Sequence, residues 1–140
     1  FQQQPEALNV ATDVAHVKNA KGLLHHIFAV ELRYSERLRE QPNTPFEQIP
    51  QDSAEQLFQL GREARRRLRQ FIDVADDRKL AQSATFKTVS YGERTVTFRK
   101  CMVHALIHSI RHWAQMATAL RQAGYPQDWQ HDFLFTSATK

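Results

Sequence analysis

Two histidines stand four residues apart in the run His104-Ala105-Leu106-Ile107-His108-Ser109-Ile110-Arg111-His112. On a helix, that spacing puts the imidazoles of His108 and His112 on one side of adjacent turns, with Cβ atoms about 5–6 Å apart. One helix can in this way offer two nitrogens to one metal ion. With His108 set at zero on a helical wheel, Met116, Ser109, Met102, Leu120, Trp113, Leu106, Ala117 and Ile110 fill an arc from roughly 80° to 200°, the expected core face. His108 and His112 lie at its near edge. Upstream, with His26 at zero, Val30, Leu23, Tyr34, Ile27, Leu38, Leu24 and Phe28 cover roughly 40° to 200°. His26 again borders the apolar face, whereas His25 points about 100° the other way, towards solvent. A His-x-x-x-His pair alone arises by chance in any histidine-rich helix. A third histidine at the edge of a second helix gives it meaning, because three protein ligands with an open position are the catalytic arrangement for zinc.

Other side chains fall around this trio. Gln115 is placed to orient one of the ligands by a hydrogen bond. Glu31 falls at about 140° on the first wheel, inside the apolar arc, where an unpaired carboxylate is costly. It points away from His26, so a supporting hydrogen bond or an ion pair with a base on another helix is expected of it. His104 extends the row further from the core and reads as surface or supporting, not as a ligand. His16 and His131 belong to no constellation. Cys101 lies two turns before His108, roughly 10 Å along the axis, and reads as a buried, inert thiol. Trp113 reads as packing, and Trp129 as a cover for the bundle end or the site mouth. The run Arg65-Arg66-Arg67, with Arg62 and Arg69, invites a nucleic-acid reading. However, Gly61, Ala64, Leu68, Phe71, Ile72 and Ala75 form the opposite stripe, so these arginines read mostly as a wet helix face.

The elements that must position these residues are punctuated by local breaks. Gln41-Pro42-Asn43-Thr44-Pro45, Pro50, Tyr91-Gly92-Glu93-Arg94 and Gly124-Tyr125-Pro126 separate three long helical patterns. The first is expected from about Thr12 to Glu40, with a bend near Gly22. The second opens at Asp52-Ser53, where Ser53 and Gln56 have capping-box spacing, and runs to about Asp77. The third runs from about Arg99 to Gly124, which suits the C′ position. Thr85 to Val89 and Thr95 to Phe98 alternate around the Gly92 turn as a short β-hairpin would. The pattern predicts an all-α four-helix bundle, one domain over 1–140, with a short or truncated first helix and a β-hairpin before the last long one.

Composition excludes several classes. With 41% hydrophobic and 24% charged residues, the 140-residue chain suits one globular domain. No apolar run reaches the roughly 18 residues of a membrane span. A single cysteine forms no intrachain disulfide, so a cytoplasmic setting is the expectation. Nineteen Lys and Arg against fifteen Asp and Glu leave a net +4, too mild for a dedicated nucleic-acid binder. The opening Phe1-Gln2-Gln3-Gln4-Pro5 is not a secretory signal, and a first residue other than methionine fits a trimmed N-terminus.

Leu23-Leu24-His25-His26-Ile27-Phe28-Ala29-Val30-Glu31, with Tyr34, resembles the "His, then Glu five later" signature of the DinB/YfiT-like proteins. His104 to Gln115 resembles their last-helix motif, His-x-x-Asn-His-Ser-x-x-His-Arg-Gly-Gln. Leu120 to Gly124 and Asp132-Phe133-Leu134 resemble the family's ending. The resemblance implies a four-helix bundle holding a divalent metal ion on His26, His108 and His112, with zinc or nickel foremost. It also implies a homodimer and a metal-dependent enzyme acting on a small molecule: a transferase using a low-molecular-weight thiol, or a hydrolase. Ile107 replaces the usual Asn and Trp113-Ala114 replaces Arg-Gly. That change favours the alternative, a non-catalytic, metal-stabilised binding module.

Overall fold

A computed structural model describes residue 1 and residues 4–14, 16–88 and 92–126. It is mostly helical, with two small antiparallel sheets. The long helices are α1 (Ala20–Leu38), α2 (Ala54–Val74) and α4 (Phe98–Gln122), and α3 (Asp77–Ala81) is a short one. Strands β1 (Ala11–Val14) and β2 (Val17–Asn19) pair before α1, and β3 (Ser83–Thr88) and β4 (Gly92–Thr97) pair before α4. Val89, Tyr91, Trp129, His131 and Asp132-Phe133-Leu134, which carried expectations above, lie outside the described residues.

The first long helix starts later than its periodicity suggests. The segment before it alternates exposed Ala11 and Asp13 with half-buried Thr12 and Val14, a strand pattern supported by β-branched side chains. Asn19 then ends β2 and caps α1, its side chain accepting a hydrogen bond from the Gly22 N–H at 2.9 Å. Gly22 therefore sits in the first turn of α1 and marks no bend. Ser53 caps α2 by accepting from the Gln56 N–H, while the Gln56 side chain accepts from Asp52 N–H, one residue outside the usual box. Asp76 caps α3, an element that the second-helix pattern, ending at about Asp77, does not reach. Gly124, at φ +85°, takes the left-handed position that ends α4.

Helix α1 lies against both α2 and α4, and most of its side chains are buried. Its contact with α2 is close at one point: a Cβ on Gly61 would stand 2.5 Å from the ring of Phe28. That ring is itself wedged edge-on against Phe58 and Trp113. A second cluster, Leu38, Leu68, Phe71, Phe98 and Cys101, closes the other end of the helices, and Phe86 and Val96 of the hairpin pack on it. Helix α4 is covered on its α1 side, where Ala105, His108, Ser109, His112, Met116 and Leu120 are buried. Leu106 and Ile110, expected in the core, are instead 51% and 65% exposed, because their side of the helix has no long neighbour among the described residues. Ile72 of the expected α2 stripe is likewise exposed.

Candidate metal centre

His26 comes from the middle of α1, while His108 and His112 come from successive turns of α4. The packing of α1 on α4 brings the three rings together. Ring centroids are 5.0 Å apart for His26 and His108, 5.0 Å for His26 and His112, and 4.4 Å for His108 and His112. One nitrogen from each lies within 4.8 Å of the others, so the trio could hold a metal ion. Nε2 of His26 is 3.1 Å from Nε2 of His108. Two nitrogens bound to one zinc at about 2.0–2.1 Å in tetrahedral geometry stand about 3.3 Å apart.

The chemistry of these donors fits the same purpose. Burial, reinforced by the neighbouring His112, lowers the pKa of His26 to about 4. Burial, with His112 and His26 beside it, lowers that of His108 to about 3. Burial also lowers that of His112, against the raising effect of Gln115. Near pH 7 the rings are neutral and keep the lone pairs that a metal requires. Gln115 Oε1 accepts from His112 Nδ1 at 2.7 Å, which leaves Nε2 of His112 as the lone-pair nitrogen facing its partners. Arg111 Nη2 stands 3.3 Å from that nitrogen, a cation that also disfavours protonation of the trio. Among the described residues, His108 Nδ1 and Ser109 Oγ are buried without a hydrogen-bond partner.

The remaining candidates separate from the trio. Glu31 gives both carboxylate oxygens to Arg65 of α2, at 3.0 and 3.3 Å, the ion pair its buried position called for. His104 is exposed, its ring 5.8 Å from that of His108 and 5.3 Å from that of Tyr34. Cys101 is buried, which raises the pKa of its thiol. His25 does not face solvent. It is 6% exposed, its Nε2 meets the Ile49 carbonyl at 3.3 Å and its ring stands edge-on to Phe46, because the loop after α1 folds back over it. His16 is exposed in the β1–β2 turn.

Beside the trio lies a cavity of about 540 Å³, with His26, His108, Tyr34, Phe46, Phe86 and Val96 among its walls. Its size falls within the usual range for small-molecule sites. Arg33 and Arg37 also line it. Both stand about 20° from His26 on the α1 wheel, a signal in the sequence that gains meaning only when the hairpin closes over that face.

A helical body with histidines from two helices gathered at one point defines a class. The DinB family model matches residues 4–139, and the chain belongs to the DinB family. In structure it is similar to a DinB-like protein of Bacillus subtilis, YjoA, with a TM-score of 0.63 and 15% identity, over 93% of this chain and 88% of that one. No curated protein sequence matches it.

Proposed function

We propose that this DinB-family chain is a metal-dependent enzyme acting on a small molecule, by transfer to or from a thiol or by hydrolysis. In this reading His26, His108 and His112 hold a divalent ion, zinc or nickel foremost, on a four-helix-bundle scaffold. The observation that carries it is the convergence of three neutral imidazoles beside a ligand-sized cavity. When bound, such an ion lowers the pKa of a thiol or water towards neutrality and so supplies a nucleophile. The chain's own residues do the rest. Gln115 fixes the ring of His112 and the proton on its Nδ1. Burial keeps His26 and His108 unprotonated, and Arg111 adds to that by its charge. Tyr34, Phe46 and Phe86 supply walls that exclude water from one side of the substrate. A homodimer in a cytoplasmic setting completes the reading, with the oligomeric state to be read by light scattering.

Elemental analysis of untagged protein tests the proposal. One divalent ion per chain is expected, with His108→Ala and His112→Ala each weakening binding by at least about ten-fold. No stoichiometric ion, or variants that bind as the parent does, would falsify it. The position of Trp113 favours a second reading. Its ring packs on Phe28 at 5.9 Å where the family motif has an arginine, so the metal would only stabilise a binding module. Thermal unfolding with and without chelator, run beside a thiol-transfer assay, separates the two: a stability change without turnover selects the module.

A further inference from the structure

The walls of the cavity carry a one-sided charge. Arg33 and Arg37 of α1, Lys87 of β3, Arg94 of β4 and Lys100 of α4 line it, and no carboxylate does among the described residues. The hairpin register contributes to this. Arg94 stands opposite Phe86 and shares its inward face, whereas Glu93 takes no part in the walls, although Lys87 opposite it does.

These cations lack the partner that six others among the described residues have. Arg65, Arg66, Arg67, Arg69, Lys79 and Arg99 each meet a carboxylate. Among the described residues, none of the five cavity cations does. Arg37 shows the consequence most clearly. Its guanidinium is half-buried between the rings of Phe86, 4.1 Å away, and Tyr34, 4.7 Å away. Its Nε donates to Asn43 Oδ1 at 2.9 Å, so the carboxylate of Glu36 reaches it only through that amide. Burial lowers its pKa, opposed by Tyr34, which also shares a hydrogen bond with it, and by Cys101, but by no carboxylate among the described residues. Arg33 stands 5.7 Å from the centre of the Phe46 ring. Arg94 has one nitrogen on the Glu93 backbone carbonyl, and its other donors meet no acceptor among the described residues. A desolvated guanidinium without a carboxylate is costly unless an anion completes it, and Arg forks match carboxylate, sulfonate or phosphate oxygens well.

We infer that the cavity takes an organic anion with a flat apolar body, its charged group held by Arg33, Arg37 and Arg94 and its body laid along Tyr34, Phe46 and Phe86. This names a substrate class for the proposed enzyme. It takes from that reading only that reaction occurs beside His26 and His108.

Calorimetric titration of the full chain with naphthalene-2-sulfonate and with the neutral 2-naphthalenemethanol, both in excess chelator, tests it. The sulfonate should bind at least about ten-fold more tightly, and added salt should shrink the preference. Arg33→Gln and Arg94→Gln should each weaken the sulfonate several-fold and leave the alcohol unchanged, and Arg37→Met should do so more strongly if it folds. Arg66→Gln, on the far face of α2, should alter neither. Equal binding of the two probes, or sulfonate binding indifferent to Arg33→Gln and Arg94→Gln, overturns the inference. So does sulfonate binding that appears only when metal is restored, an outcome that leaves the metal reading standing. Selective sulfonate binding in chelator by a chain that never takes up a stoichiometric ion supports the inference and removes the metal reading instead.

Discussion

Two arginine-rich regions of this small protein are built from the same residue type to different ends. On the outer face of α2, Arg66 and Arg67 both bond Glu63, and Arg69 faces Asp73 at 3.7 Å. One step towards α1, Arg65 covers the buried Glu31. In the cavity between α1, the hairpin and α4, five cations surround space and find no carboxylate among the described residues. Charge count therefore says little about what a basic surface binds. What matters is whether the chain supplies its own anions at helical spacing or leaves the positions to a ligand. On this ground the triple arginine, the more conspicuous feature in the sequence, is the weaker candidate for a partner.

The contrast breaks most visibly at Arg65, the α2 arginine whose partner is buried. Glu31 is 4% exposed, so Arg65→Met leaves a carboxylate out of reach of water. A loss of about 2–3 kcal/mol in urea unfolding is expected, most of it recovered in the double variant Arg65→Met/Glu31→Gln. No recovery would mean that the arginine stabilises through its stem and its position over the Phe28 ring, not through the pair. Next comes Gly61→Ala, which tests how tightly α2 is held to α1. The new methyl would meet the Phe28 ring at 2.5 Å, and overpacking there should outweigh the better helix propensity of alanine by about 1–2 kcal/mol. An unchanged or raised midpoint would show that the ring has room to move.

The regions also part in their response to acid. Hydrogen bonds from Arg66 and Arg67 hold the Glu63 pKa at about 2, so those pairs persist into strong acid. His26 and His108 titrate near 6.5 when unfolded, but are held at about 4 and about 3 in the fold, first by burial and then by His112, with His26 adding to the effect on His108. As pH drops below 6.5 the unfolded chain takes up protons that the folded chain refuses. Stability in chelator therefore falls through the window between 6.5 and about 4, and levels off below about 3. A fall of about 1–2 kcal/mol is expected, allowing for the half-open setting of His26. Replacing both histidines with glutamine should flatten that part of the profile, and an unchanged slope would assign it to other groups.

The histidine trio was legible in the sequence because the i,i+4 spacing and the border between apolar and polar faces are properties of single helices. Only the contact of α1 with α4 had to be supplied by the fold. The cavity was not legible for the complementary reason. Arg33 and Arg37 share the face of His26, yet the wall opposite them comes from a hairpin with no periodic relation to α1. The burial of His25 depends on a loop carbonyl, that of Ile49, which no wheel contains. Leu106 and Ile110 show the reverse failure. Hydrophobicity assigned them to the core, but burial requires a neighbour, and the neighbour of α4 lies on its other side. The start of α1 was misplaced because amphipathic periodicity and strand alternation overlap for a few residues, and the cap at Asn19 decides between them.

The smallest expected effects separate the two arginine regions most cleanly. Arg66→Gln removes an exposed i,i+3 pair, and Glu63 keeps Arg67, so stability should change by less than about 0.5 kcal/mol. Arg33→Gln removes a cavity cation that no carboxylate opposes among the described residues, and should lie within the same small range. A polar residue replaces a charge that was repelled by Arg37 and attracted by nothing acidic, so the sign should be neutral to slightly stabilising. The salt dependence of unfolding carries the distinction. Salt screens attraction in the α2 pairs and repulsion in the cavity, so the loss from Arg66→Gln should shrink as salt is raised. The gain from Arg33→Gln should shrink in the same way, from the opposite sign. If both substitutions cost stability at low salt, the cavity holds a counter-charge contributed by the chain itself, and the contrast between the two regions dissolves.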